Sequence, residues 1–320
     1  MDVVFSLLDS TIRVATPLLL AALAGLFSER SGVIDIGLEG KMLAAAFAAA
    51  AVAAITGSAP LGLLVALGVG FLLSMMHGVA SVTYNGNQTV SGMAINIAAS
   101  GLTAILANAW FQQGGRTPFL EGDARFTPIT LPLAETVKDV PLIGEFYYEI
   151  VSGHNVLVYV TAILLPVVVW VVYRTRFGLR LRAVGENPHA VDTAGISVAK
   201  LRYQALAING LLCGLAGSYL STAQNNSFLQ DMTAGKGFLA LAALVFGKWR
   251  PYPTLVACLL FAFTDAAQVR LQGVNIFGIG PIPVQFIQAL PYILTVLLLA
   301  GFVGRAVAPK AIGIPYVKSR

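Results

Sequence analysis

RTRFGLRLRAVGENPHAVDTAGISVAKLR, residues 174–202, decides how the chain is read. It sets Arg174, Arg176, Arg180, Arg182, Lys200 and Arg202 against Glu186 and Asp192, and apolar runs long enough to cross a bilayer flank it on both sides. Loops rich in Arg and Lys between membrane helices stay in the cytoplasm, because moving those charges through the bilayer is costly. This loop therefore faces inward. Within it, Asn187 suits an N-cap, Pro188 the first helical position and Gly195 the left-handed residue that ends a helix, so a short helix is expected over 189–194. Such a rod reads either as a surface helix ordering a loop or as something for a soluble partner to grip.

Working outward, composition sets the class. The chain has 320 residues, 57% of them hydrophobic and only 11% charged, with a mean hydropathy of +0.79, where a soluble domain carries roughly 25% charged residues. It reads as an all-α polytopic membrane protein forming one transmembrane domain over residues 1–320. The net charge of +5 is no nucleic-acid footprint, because the basic residues gather at the ends of membrane segments. Cys213 and Cys258 lie in apolar runs and read as packing residues, with neither disulfide nor metal spacing.

In chain order, spans are expected at 11–27, 41–55, 61–84, 89–111, 155–173, 203–223, 254–268 and 284–303. The start carries Asp2 and Asp9 without a basic cluster, so the first span reads as retained, although Ala22-Leu23-Ala24 resembles a cleavage site. The run 238–246 is apolar but too short to cross as a helix, which predicts a broken or re-entrant segment. The total is about nine crossings, between 8 and 10, with the N-terminus outside. Residues 112–153 hold Glu121, Asp123, Glu135, Asp139, Glu145 and Glu149 against Arg116, Arg125 and Lys138. One span separates this acidic stretch from the basic loop, so it is expected outside, as an extracytoplasmic cap and a docking surface for an extracytoplasmic protein.

The stretch SERSGVIDIGLEGKM, residues 28–42, combines Gly32, Gly37 and Gly40 with Glu29, Arg30, Asp35, Glu39 and Lys41, a pattern of broken helix. Its acids point to function where they line a cavity and to plain loop charges where they sit at the interface. It is no P-loop, since Met42 follows Gly40-Lys41, and nucleotide binding by this chain is not expected. Asn96, Asn209, Gln224 and Asn225 stand in or beside apolar runs, where an amide needs a partner in protein or in a wet path; interhelical bonding and substrate contact both account for them. Gly210, Gly214 and Gly217 give one face smooth enough for close helix packing.

GVIDIGLEGKML (32–43), GNQTVSGMAINI (86–97), GLRLRAVGENPHAVDTAGI (178–196) and GKGFLALAALVFGKWRP (235–251) resemble, in order, the signature blocks of membrane permease subunits of ATP-binding-cassette importers, in the family serving branched-chain amino acids, ribose and nucleosides. The GLEG block is more similar to the sugar and nucleoside branch. The resemblance implies a pore-forming half that pairs with a second permease, most simply a different homologous chain. Two cytoplasmic ATPase subunits would hold the ATP and Mg, with no cofactor on this chain, and a periplasmic binding protein or lipoprotein would deliver substrate. It places the chain in the bacterial cytoplasmic membrane, in contact with lipid. It implies that Gly185, Glu186, Asn187, Pro188, Ala194 and Gly195 form the helix that couples to the ATPase. Asp35, Glu39, Asn96, Asn209, Gln224 and Asn225 are the residues expected along the translocation path. Asp35 stands where nucleoside members often carry Asn and Lys41 where they vary, so a negative charge beside the path is expected. Nucleosides lead and simple sugars follow as the substrate class.

Two other classes compete. An ion-coupled transporter needs carboxylates in mid-membrane, and here only Asp265 lies inside a clear span. An intramembrane enzyme needs a nucleophile, paired acids or metal ligands, and His77, His154 and His189 fall in three separate regions.

Overall fold

In the computed structural model, residues 2–131, 147–271 and 306–318 are described, together with Ala289, Ile293 and Val296. Most of the span expected at 284–303, and residues 132–146 of the expected cap, lie outside the described residues. All regular elements described are helical: α1 (Asp2–Arg30), α2 (Leu38–Thr56), α3 (Ala59–Gly78), α4 (Gln88–Phe111), α5 (Val156–Arg174), α6 (Arg176–Glu186), α7 (Pro188–Thr193), α8 (Val198–Tyr219), α9 (Lys236–Phe246) and α10 (Pro251–Leu271). Extra π turns extend α3 to Thr83 and α8 to Gln224. Six stretches, 5–30, 38–56, 59–83, 88–111, 156–174 and 198–224, are long and apolar enough to cross a membrane.

α1 and α8 form the centre. Their apolar windows are 78% and 83% buried, whereas those of α3, α4 and α5 are 28–33% buried and turn Leu72, Ile97, Ile105, Ile163 and Trp170 outward. Residues this apolar on an outer face suit lipid tails. The core around α1 is Leu20, Leu23, Leu26 and Phe27 packed with Leu212, Ala216, Leu244 and Phe261. The small-residue face expected at 210–217 is used for close crossing. A Cβ on Gly70 of α3 would lie 2.3 Å from the Gly210 carbonyl, and one on Gly217 would lie 2.3 Å from the Met42 carbonyl of α2. Only glycine lets these backbones touch.

Contacts tie separate segments together at two ends of the bundle, named inner and outer after the expectation from charge. At one end Arg30 Nη2 donates to the Trp249 carbonyl at 2.7 Å, Trp249 Nε1 donates to the buried Glu29, and the Ala311 amide donates to the Gly185 carbonyl at 2.8 Å. These residues come from segments all expected inside. At the other end the Phe126 amide meets the Thr222 carbonyl at 2.8 Å, Leu120 meets Asn226 at 2.6 Å, and the Tyr219 hydroxyl donates to the Arg13 carbonyl at 3.0 Å. Glu29 is therefore no interfacial loop charge; it is buried against an indole.

The short run at 238–246 forms the helical half of a broken crossing of the bundle. Residue 226 is held beside Leu120 at the outer end, and Trp249 sits beside Arg30 at the inner end, so 225–249 traverses the bundle. Its upper half is not helical, and its lower half is α9, 11 residues and so about 16 Å long.

Candidate functional site

Two arrangements carry chemistry, one at the inner end and one at the depth where α2 and α9 begin. The inner one is the basic loop. The sequence read it as a single short helix; the structure adds α6, whose Phe177, Leu181 and Val184 fall at helical spacing beneath an Arg-rich surface. Thr175 caps α6 by accepting from the Gly178 amide at 3.1 Å. Asn187 caps α7 by accepting from the Ala190 amide at 3.1 Å, and Gly195 takes a φ of +78° where the helix ends. The expected helix thus stands at 188–193.

α7 rests on a small core of its own, Val184, Val191, Val198 and Leu201. Glu186, Asn187, Ala194 and Gly195 are exposed and Pro188 is half-buried. Gly185 is different: it is buried, and a Cβ there would lie 2.3 Å from the Arg30 carbonyl, so it serves the seat of the rod on α1. Residues 309–318 strap this seat down. Tyr316 packs on the His189 ring at 5.1 Å between centroids, and Gly313 donates to the Gly32 carbonyl at 3.1 Å. Arg202, 1% exposed, donates to the Ser31 carbonyl at 3.2 Å and the Ile314 carbonyl at 3.3 Å.

The second arrangement starts from residues 31–37, a non-helical stretch between α1 and α2. Backbone that is neither helix nor closed sheet survives at membrane depth only if protein or water satisfies it. Here side chains do so. Gln88 accepts from the Ile34 amide at 2.7 Å, His77 Nε2 meets the Ile34 carbonyl at 2.9 Å, and Asn96 donates to the Ile36 carbonyl at 3.0 Å. Because a carbonyl only accepts, His77 carries its proton on Nε2, and its Nδ1, 3.0 Å from Ser91 Oγ, accepts. The stretch leads to Asp35, which accepts from the Gly37 amide and pairs with Lys41, one turn into α2. Lys41 Nζ also donates to Ser74 and Asn209, each at 3.1 Å, and Asn209 donates to the Ala24 carbonyl at 3.0 Å. Asp35, Lys41, Ser74, His77 and Asn209 are all 0% exposed.

This corrects the expectation of a bare negative charge beside the path. Asp35 and the variable position Lys41 are partners in a buried clamp that joins α1, α2, α3 and α8. Asp35 and Asn209 are therefore internal, whereas Glu39 and Asn96 are half-buried, and Asn96 accepts from the amide of Gly40, the residue after Glu39, at 2.8 Å. Glu39 also accepts from the Gly235 and Gly237 amides at 2.7 and 2.6 Å, capping α9 with a negative charge at the positive end of its dipole. Gln224 and Asn225 lie apart, at the outer end. There Gln224 borders a cavity of about 80 Å³ with Arg13, Arg125 and Asn155, and Asn225 bonds back to the Leu220 carbonyl.

Sequence reasoning missed Lys41, Ser74, His77 and Arg202 as structural partners, and it missed Asp231. The Asp231 carboxylate, on the non-helical half of the broken crossing, accepts from Ser100 at 2.8 Å and is exposed. Its charge within 224–237 was the available signal. Among the described residues no group of three His, Cys, Asp or Glu side chains is placed to hold a metal.

Residues 7–305 match the family described as "Branched-chain amino acid transport system / permease component". The chain is 40% identical to a guanosine ABC transporter permease protein (NupQ) of Bacillus subtilis, over 98% of this chain and 97% of that one. It is 38% identical to a nucleoside ABC transporter permease protein (NupC) of Lactococcus lactis, over 96% and 95%. It is 36% identical to a putative glucose ABC transporter permease protein (TsgC13) of Haloferax volcanii, over 84% and 79%.

Proposed function

The chain belongs to the branched-chain amino acid transport system permease component family, a family of transport subunits of ABC transporters, and on that premise we propose that it is the nucleoside-translocating permease of an ATP-driven importer. The observation that carries the substrate class is near-full-length similarity to two permeases named for guanosine and nucleosides, against a shorter and weaker match to a glucose permease. Simple sugars remain the second reading on the strength of that third relative.

In this reading the chain sits in the bacterial cytoplasmic membrane with about nine crossings and pairs with a second, homologous permease. Separate ATPase subunits bring ATP and Mg, and an extracytoplasmic binding protein docks on residues 112–153 and the 224–237 loop. The exposed face of α7, with Glu186, Asn187, Pro188, Ala194 and Gly195, takes the push of ATPase closure. A short, capped rod on its own core passes displacement to α5 and α8 with little lost to bending. Gly185 seats that rod on the end of α1. Substrate moves along the half-buried surface shared by α4, the start of α2 and the broken crossing, where non-helical backbone and polar groups need a wet path. Contacts there are few, which suits release.

The test is Asn187→Gly with Pro188→Gly in the full transporter. Glycine keeps part of the cap, costing a few tenths of a kcal/mol, and freeing the first turn adds the rest, about 1 kcal/mol in all for a six-residue helix. Nucleoside-stimulated ATP hydrolysis and uptake should fall together while the permease still reaches the membrane. Unchanged uptake and unchanged ATPase association would overturn the coupling role of α7.

A further inference from the structure

We propose that Asp231 is the group that reads the sugar hydroxyls of the substrate as it passes through the membrane, an inference that rests on the nucleoside reading above. Its depth follows from its partner. Ser100 lies near the midpoint of the 24-residue α4, about 18 Å from the start of that helix, and it donates to Asp231 at 2.8 Å. The carboxylate is therefore held at mid-height of the bundle, yet it is exposed. Its second oxygen has no protein partner among the described residues, and none of the ion pairs found among them includes it. A charged carboxylate at that depth is too costly to face lipid, so its surroundings are aqueous.

Placement and backbone support the same reading. Asp231 has a φ of +52°, a left-handed conformation that costs a non-glycine residue energy and recurs at functional positions. It lies on the non-helical half of the broken crossing, four residues before Gly235, where Glu39 caps α9. Glu39 spends both oxygens on backbone amides and the buried Asp35 spends its charge on Lys41. Asp231 is the carboxylate of this wall with an oxygen that accepts from no described residue. A carboxylate oxygen accepts from the hydroxyls of a ribose, as it does in dinucleotide sites. Ser100 fixes the orientation of the carboxylate by holding its other oxygen.

The experiment measures uptake of guanosine and of 2′,3′-dideoxyguanosine by the complete transporter carrying the wild-type chain, Asp231→Asn or Ser100→Ala. Removing a hydrogen bond to a charged group costs about tenfold or more. Asp231→Asn should lower kcat/KM for guanosine by about that factor and leave the dideoxy analogue unaffected, so that the ratio between them collapses. Ser100→Ala should move the ratio the same way by less, which keeps a readout if Asp231→Asn fails to assemble. If the dideoxy analogue is not carried by the wild type, 2′-deoxyguanosine supplies the ratio. An equal loss for both substrates, or no loss for guanosine, overturns the role of Asp231 and leaves the nucleoside importer standing. A wild-type transporter that carries sugars and no nucleoside overturns the nucleoside reading instead.

Discussion

The sharpest test of the buried clamp is Lys41→Met. In the native chain Lys41 Nζ faces the Asp35 carboxylate and donates to Ser74 and Asn209, and no atom of the pair meets solvent. Methionine fills much of the same volume and removes the charge. Asp35 then keeps the Gly37 amide and loses its counter-ion, while Ser74 still donates to Asn209 at 3.0 Å. Removing one member of a buried pair costs about 3–5 kcal/mol, because the remaining charge is stranded. For a chain of this size that is a fall in melting temperature of about 5–10 °C. Asp35→Asn added to Lys41→Met removes the stranded charge and should recover more than half of the loss, since replacing both members of such a pair is often close to neutral. The assay is thermal unfolding of the detergent-purified chain for wild type, both single variants and the double variant, read as a double-mutant cycle. A cycle in which the two losses simply add, or a single-variant loss under about 1 kcal/mol, would refute the pairing.

Two further outcomes follow from close contacts. Gly70→Ala should lower stability by more than about 2 kcal/mol, because its Cβ would lie 2.3 Å from the Gly210 carbonyl, while Gly68→Ala, with nothing within 4 Å, should hold or raise the melting temperature. Glu39→Ala should strip the cap from α9 at a cost of about 1–2 kcal/mol, seen as roughly tenfold faster hydrogen exchange over 235–240 with little change in α4.

The parts of the fold legible from sequence were those set by local rules. Asn187, Pro188 and Gly195 announced α7 because capping depends on neighbours in sequence, and its helix was misplaced by one residue at each end. The short helix α9 was legible in the shortness of 238–246, since the length of an apolar run is a property of the chain alone. α6 was overlooked because its three arginines, Arg176, Arg180 and Arg182, masked Phe177, Leu181 and Val184, a helical spacing that was present to be counted. The clamp was beyond local reasoning. Asp35 and Lys41 are six residues apart, which no regular helical spacing brings together, and they meet only because 31–37 is not helical. Ser74 and Asn209 join them through the glycine crossings of α3 and α8, a tertiary fact. Among the expected path residues, Asn96 was bonded to the backbone at Gly40 beside Glu39, whereas Gln224 and Asn225 stayed at the far end, because a polar residue in an apolar run signals the need for a partner and not which one.

The clamp and the coupling rod are joined through one short stretch of backbone. Arg202, at the inner end of α8, holds the Ser31 carbonyl, and the 309–318 strap holds both Gly185 and Gly32. At its other end that stretch is fixed by Asp35 and Lys41 to Asn209, seven residues further along α8. α8 and residues 31–37 are thus tied at two heights about 10 Å apart. A tilt of α8 driven from α7 cannot slide past residues 31–37; it must carry them, and with them the first turn of α2. Glu39 sits in that turn and holds the start of α9. In the proposed cycle, motion imposed at the cytoplasmic rod therefore reaches the non-helical half of the broken crossing through hydrogen bonds that are already made. This gives the buried charge pair a reason to persist where an apolar pair would be as stable: an apolar contact permits sliding, and a fully partnered ion pair fixes register.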